Sequence, residues 1–409
     1  MQINWKKNTA LFMSGQALTL FGSMVVQYAI LWHITLMTKS GTMMTLVTIV
    51  GFLPMFFISP FGGVWADRFN RKLVINISDG VIAFVSLVVA LLLLAGYTHL
   101  SILLICAGIR GLGQGVQMPA VGAVIPQIVP AEHLTRVNGI NASVQSLITL
   151  TSPMAGAAMM IFFPLESLFF LDVITAAIGI SILIFFVKIP DLKKHTEKKK
   201  ISYFHDLKEG LYYIKNHKFV FKLILFFAMI MIFFTPASLL TPLQVVRKFG
   251  DDVWRLSAIE IVFSVGYMLG GLLIAAWGGF KNRMFSIALA CFLVGLLSVG
   301  LGLSPFFWLY VGVIGFAGMV MPLFNTPIMV LMQSNVEPEF MGRVFSVFTM
   351  VSSSVMPFAM LIFGPVTDVI SIDYLLVFAG IGLALLSFVL ISNKTLSKAG
   401  EPVKEQGVS

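Results

Sequence analysis

Long apolar stretches separated by brief polar punctuation run along almost the whole chain. They fall at roughly 9–36, 42–66, 73–96, 100–127, 137–163, 165–188, 219–245, 254–277, 284–303, 305–332, 343–368 and 372–393. Runs of about 18 apolar residues or more are long enough to cross a bilayer as helices, so the pattern predicts twelve spans. One long polar segment, "KIPDLKKHTEKKKISYFHDLKEGLYYIKNHK", divides them six and six. Its first part reads as a solvated linker. Its second part places Phe204, Leu207, Leu211 and Ile214 at helical spacing, which predicts an amphipathic helix on the inner membrane surface. The expected organisation is a six-helix bundle over 1–188, a cytoplasmic linker over 189–218, a second six-helix bundle over 219–393 and a cytoplasmic tail over 394–409.

Composition agrees with an all-α membrane protein. Of 409 residues 58% are hydrophobic and 11% charged, and the mean hydropathy is +0.95. The run that follows "MQINWKK" is too long for a signal peptide and has no A-x-A cleavage pattern, so it reads as a retained first span. With both termini inside, 22 of the 27 Lys and Arg residues fall on the inner side; Lys39, Arg247, Lys248 and Arg255 fall outside and Arg110 within a span. The positive-inside rule therefore predicts a multi-pass protein of the cell membrane with cytoplasmic termini. The net charge of +9 is explained by inner loops facing anionic lipid headgroups, and no nucleic-acid partner is expected. Cys106 and Cys291 both lie in apolar segments, which gives neither a disulfide framework nor a metal site.

The halves echo each other. At an offset of 207, Gly108 and Gly111 align with Gly315 and Gly318, and Val129, Glu132, Arg136 and Val137 with Val336, Glu339, Arg343 and Val344. Parallel six-span repeats are a transporter architecture whose substrate site lies near mid-membrane.

Four charges crowd the hinge "GGVWADRFNRK" between the second and third spans. Its Gly63, Asp67, Arg68, Asn70, Arg71 and Lys72 resemble the loop signature of the major facilitator superfamily, with Asn70 where glycine is usual. Asn tolerates a left-handed backbone better than most residues, which predicts that conformation here. The resemblance implies a gate: the acid and the basic residues bridge helix ends and latch the inner side. The counterpart "WGGFKNRMF" keeps Lys281, Asn282 and Arg283 but has no acid. "IRGLGQGVQMPA" resembles the superfamily's fourth-helix pattern, and no strand or Lys-Ser/Thr accompanies its glycines as a phosphate loop requires. Gly139 with Ser152-Pro153-Met154-Ala155-Gly156-Ala157 is similar to the glycine-proline signature of exporters, with Ser152, Ala157 and Ile148 departing from it. "SGQALTLFGSMVVQYAI", "GFLP", "GGFKN" and "EFMGRVFS" look most like the macrolide-efflux (Mef-type) branch of drug:proton antiporters. The resemblance covers essentially the whole chain and implies the major facilitator fold of two pseudo-repeat bundles, with proton-coupled efflux by alternating access.

Charges at membrane depth are costly and mark candidates for function. Arg110, Asp79, Asp172 and Glu260 are the candidates for proton coupling. Asp172 and Glu260 also read as outer-gate partners, with Arg255 as their cation, and Asp79 as a member of the inner gate. Polar residues recur at helical spacing: Gln16, Ser23 and Gln27; Arg110, Gln114 and Gln117; Asn138, Asn141 and Gln145. With Tyr28, Trp32, Met118 and Asn325 they are the expected lining of a mostly apolar cavity for an amphipathic cation or a macrolide. Helix–helix hydrogen bonding is the alternative use of the same residues. No H-E-x-x-H, G-x-S-x-G or P-loop motif argues for an enzyme or for ATP drive, and no cofactor or metal is implied. The partners expected are a small amphipathic substrate, protons and membrane lipids, with the chain acting as a monomer. An exporter of a lipid-like or siderophore molecule and a transport-fold receptor or partner subunit stay open.

Overall fold

Helices form wherever the apolar runs predict them, because in lipid a single chain segment satisfies its own backbone only as a helix. The computed structural model describes residues 4–189, 203–337, 340–393 and 396, and only the backbone of residues 67, 131, 135 and 203–208. The charged stretch "DLKKHTEKKK", Glu339, the tail beyond 396 and the side chains of Asp67, Phe204 and Leu207 therefore lie outside the described residues.

The helices are α1 Trp5–Thr38, α2 Gly41–Arg68, α3 Arg71–Leu94, α4 Leu100–Ile128, α5 Leu134–Phe162, α6 Leu165–Phe186, α7 Tyr203–Asn216, α8 Lys218–Leu239, α9 Thr241–Lys248, α10 Val253–Trp277, α11 Arg283–Leu303, α12 Phe307–Asn335, α13 Met341–Val366 and α14 Ile372–Ser392. With α8 and α9 taken together, twelve are long and apolar enough to cross a membrane, and no strand occurs among the described residues.

Two details differ from the sequence reading. The seventh span breaks at Leu240, where Pro236 inside α8 and Pro242 at the start of α9 interrupt the backbone ladder. The hinge after the second span is mostly helix: α2 continues to Arg68, and only Phe69 and Asn70 separate it from α3. Asn70 has φ −61° rather than a left-handed φ, and its side chain caps α3 by accepting the Leu73 N–H at 3.3 Å. Asn supplies the short side-chain acceptor that N-caps favour and that Gly lacks. Asn282 caps α11 in the same way, accepting from Met284 and Phe285.

By contact the chain divides into two compact units, Met1–Lys39 with Met43–His195 and Asp252–Ser257, and Ser40–Thr42 with Thr196–Asp251 and Ala258–Ser409. The repeat is visible as matching close approaches within each. In the first unit a Cβ on Gly111 of α4 would stand 2.2 Å from the Gly51 carbonyl oxygen of α2. In the second, a Cβ on Gly318 of α12 would stand 2.2 Å from the Phe263 carbonyl oxygen of α10. Only glycine permits such backbone contact, a recurrent device of helix packing in membranes. The central helix α7 packs against α13 and α8 in the second unit. Its Tyr213 and Ile214 are buried in that core, whereas Leu211 is exposed. A protein surface, rather than lipid alone, thus covers part of its apolar face.

Candidate functional site: a two-layer polar ladder

The interior of the first unit holds two polar layers, built from residues seven apart on three helices. The pairs are Gln16 and Ser23 on α1, Asp79 and Ser86 on α3, and Arg110 and Gln117 on α4. Seven residues are two helical turns, about 10 Å of rise, so each pair stacks on one face. Helix α4 runs the opposite way, which brings Arg110 to the level of Ser23 and Ser86 and Gln117 to that of Gln16 and Asp79.

The first layer is ionic. Arg110 pairs through Nη1 with Asp172 of α6, and the same Nη1 donates to Ser86 Oγ. Its Nη2 donates to the Ser23 carbonyl at 3.0 Å. The Asp172 carboxylate also accepts from Ser86 Oγ at 2.7 Å and Ser23 Oγ at 3.1 Å. Asp172 and Ser86 are fully buried, and Arg110 is 3% exposed. Close passage of α1 past α6 makes this possible, since Gly22 leaves no room for a side chain beside Thr175 and Asp172. A buried ion pair holds only when its remaining lone pairs and protons are satisfied, and four helices supply the partners here.

The second layer lacks a cation. Gln117 Nε2 donates to Asp79 Oδ1 at 2.8 Å and to Gln16 Oε1 at 3.3 Å. The second carboxylate oxygen of Asp79, Oδ2, is buried without a hydrogen-bond partner, and Asp79 is 1% exposed. Asp172, read as an outer-gate residue, is bonded instead to Arg110, and Arg255 pairs with Asp252 at 3.3 Å rather than with Glu260. Glu260 is half-buried on α10 and has no hydrogen bond or ion pair among the described residues.

The remaining polar candidates are dispersed. Gln27, Met118, Asn138, Gln145 and Asn325 are exposed, and Tyr28, Gln114 and Asn141 are half-buried. Asn325 Nδ2 donates to the Tyr267 hydroxyl at 3.5 Å. Trp32 is 1% exposed with its ring 5.6 Å from that of Tyr28, so it packs inside the unit. The structure therefore gathers Gln16, Ser23 and Gln117 around the buried acids and leaves the other polar groups on helix surfaces.

At the end of the unit where α2 meets α3, the basic residues close helix termini. Arg71 donates from Nε to the Ala66 carbonyl at 2.9 Å and from Nη1 to Ala123 of α4. Lys72 Nζ donates to Ile184 and Val187 carbonyls at the end of α6, at 2.8 and 2.9 Å. Cations at helix C-termini satisfy orphan carbonyls and suit the helix dipole. Gly63 lies inside α2 with open space where a Cβ would project, and Arg68 is exposed.

The second unit repeats the scaffold without this ladder. Ala317 stands at the 207 offset from Arg110, and the matching caps Asn70 and Asn282 put Cys291 opposite Asp79. Cys291 is buried in an apolar core. Its polar cluster lies instead at one end, and the sequence reading missed it. Tyr310 donates to Gln244 Oε1 at 2.8 Å, and Gln244 Nε2 and Lys248 Nζ donate to Asp373 at 2.6 and 2.8 Å. Nearby, Asp368 accepts from Ser40 Oγ, the Gly41 N–H, the Thr42 N–H and Thr42 Oγ1 at 2.6–2.9 Å, and pairs with Arg247 at 2.6 Å. Among the described residues no three His, Cys, Asp or Glu side chains converge as metal ligands.

Partial burial pushes the Asp368 carboxyl up, but the Thr42, Gly41 and Ser40 hydrogen bonds outweigh it and hold it below the usual carboxylate range. A folded-state value below the unfolded one stabilises the fold above the unfolded range, about pH 4, and the contribution is lost as pH falls through the folded value. At pH 7, Asp368→Asn is expected to speed hydrogen exchange at Gly41 and Thr42 by about tenfold, the loss of roughly one charged hydrogen bond. Exchange by mass spectrometry checks this, and equal rates in wild type and variant would contradict it.

Comparison with known proteins adds a family. The family described as Major Facilitator Superfamily matches residues 12–360. The chain is 30% identical to Macrolide efflux protein A of Streptococcus pyogenes over 381 residues, covering 92% of this chain and 93% of the relative. It is 31% identical to Macrolide efflux protein A of Enterococcus faecalis, covering 78% of this chain and 99% of the relative. Among solved structures, a POT family transporter in complex with 5-aminolevulinic acid superposes with a TM-score of 0.72 at 12% identity, covering 94% and 95% of the two chains.

Proposed function

The chain belongs to the Major Facilitator Superfamily, a family of membrane transporters rather than enzymes, and on that premise we propose that it exports amphipathic, macrolide-like drugs in exchange for protons. The observation that carries the coupling is Asp79, a buried carboxylate with one oxygen unpartnered and no cation bonded to it. Such a group is costly as a bare anion and is relieved by taking up a proton. Asp172 is less suited to carry one, because Arg110, Ser86 and Ser23 already use both of its oxygens. Glu260 is the second candidate carrier, being without a described partner in the other unit. The substrate class is supported by the efflux proteins that this chain resembles along most of its length.

Exposed Gln27, Asn138, Gln145 and Asn325 supply hydrogen bonds to substrate in this reading. An amide on a membrane helix is costly against lipid tails and suits a water-filled path. Arg68, Arg71, Lys72 and the acid Asp67 form the inner gate, with Asn70 and Gly63 shaping the helix ends. Both termini lie in the cytoplasm and the protein sits in the cell membrane. Expression in an efflux-deficient host, followed by a susceptibility panel, tests the substrate half. Macrolide tolerance and macrolide extrusion should both rise. Unchanged macrolide tolerance with extrusion of a lipid-like or iron-chelating compound would replace the drug reading, and no extrusion of any compound would favour a receptor.

A further inference from the structure

The ladder gives Gln117 a task different from lining a drug cavity. Its amide nitrogen donates to Oδ1 of the buried Asp79 carboxylate at 2.8 Å, beside the Gln16 side chain, and no hydrogen-bond partner reaches Oδ2. The same nitrogen is braced by Gln16 Oε1 from α1. One carboxylate oxygen is thus fixed and the other left open. We infer that Gln117 is a positioning residue for proton exchange at Asp79, holding Oδ1 so that Oδ2 makes and breaks the O–H bond.

The inference rests on the proton-exchange reading above and deepens it. The balance is simple: a hydronium ion gives its proton to Oδ2, leaving a carboxyl and water, and the reverse step returns the proton to water as hydronium on the other side. No electrons move. The charged groups of the neighbouring helices do not compete for this role. Arg110 of α4 and Asp172 of α6 are bonded to each other two turns away, Cys106 lies a further turn beyond Arg110, and α1 brings only amide and hydroxyl groups to this face. Helix α4 carries both Gln117 and Arg110, so the amide that orients the acid is anchored by the ionic layer. Mobile drug-lining side chains need no such brace.

The test separates coupling from substrate binding. Proton-driven uptake is compared with substrate counterflow, in which loaded carrier exchanges substrate without releasing or taking a proton. Gln117→Met keeps the volume without the donor, and Gln117→Leu removes the donor with a second, branched apolar side chain. In proteoliposomes, both are expected to lower the maximal rate of macrolide transport driven by a pH gradient about tenfold, the loss of one charged hydrogen bond. KM and counterflow should stay at wild-type levels. Rescue is expected only from a restored donor, so Gln117→His should recover more gradient-driven transport than Gln117→Met.

Wild-type gradient-driven rates in both variants would overturn the inference. So would a raised KM with counterflow reduced in step, the mark of a drug-lining residue, and so would loss of both transport modes in both variants. Asp79→Asn distinguishes this from failure of the underlying reading. If Asp79→Asn keeps gradient-driven transport, the reading of Asp79 as the proton carrier fails whatever Gln117 does. If Asp79→Asn loses it while the Gln117 variants do not, the positioning role alone fails.

Discussion

Arg110→Ala is expected to lose about 3–5 kcal/mol of stability, because it strands the Asp172 carboxylate in the interior of the first unit without its cation. The loss should appear as a lowered thermal midpoint of detergent-solubilised protein and as lost transport. The double variant Arg110→Ala, Asp172→Ala should be more stable than Arg110→Ala, since it removes the stranded charge together with its partner. Arg110→Lys is the more discriminating substitution. Arginine uses two nitrogens, one toward Asp172 and Ser86 and the other toward the Ser23 carbonyl. A lysine keeps the charge on one nitrogen and gives up the planar fork, so the Ser23 carbonyl of α1 loses its donor from α4. Transport by Arg110→Lys is therefore expected to stay well below wild type despite the retained charge. Wild-type stability in Arg110→Ala would show that the pair contributes nothing, and wild-type transport in Arg110→Lys would remove the argument from the fork.

Asp79→Asn should have the larger effect on coupling and the smaller effect on folding. The amide matches the carboxyl in shape, and its oxygen still accepts from Gln117, so the second layer persists. What disappears is the group that gains and loses a proton. Gradient-driven transport is expected to fall on the order of a hundredfold, as when a proton-transferring side chain is removed from a reaction. Counterflow should survive, because exchange of one loaded substrate for another needs no change in protonation. Equal loss in both modes would make Asp79 a structural residue, and no loss in either would pass the role to Glu260.

Much of the scaffold was legible in the sequence because lipid imposes it. A span needs an apolar run and an internally bonded backbone, so the twelve segments declare themselves. Gly111 and Gly318 were visible as an internal echo, and the structure gives their shared physical cause in backbone-to-backbone contact. Arg110 stood out because a guanidinium at membrane depth is costly. Its partner did not stand out, since nothing in the sequence distinguishes Asp172, 62 residues away, from Asp79 or Glu260 as the acid it meets. The hinge was misjudged at Asn70 for a related reason. Asn serves both left-handed turns and N-caps, and only the two-residue gap before α3 decides between them. Asp368 escaped notice because its donors at Ser40, Gly41 and Thr42 are more than 300 residues away, beyond any local pattern. The spacing of seven in Gln16 and Ser23 and in Arg110 and Gln117 was read on single spans, and left unread was its repetition in Asp79 and Ser86. Polar residues two turns apart on three separate spans are the trace of a layered interior.

Proton movement in proteoliposomes tests the central claim most directly. The purified protein is reconstituted with a pH-sensitive dye trapped in the lumen, and a macrolide is added outside without any imposed pH gradient. Substrate entry through the wild-type protein should alkalinise the lumen as protons leave in exchange, and Asp79→Asn, reconstituted to the same density, should leave the dye signal flat. Substrate entry through the wild type with no luminal change, or an equal luminal change with Asp79→Asn, would contradict proton exchange at Asp79.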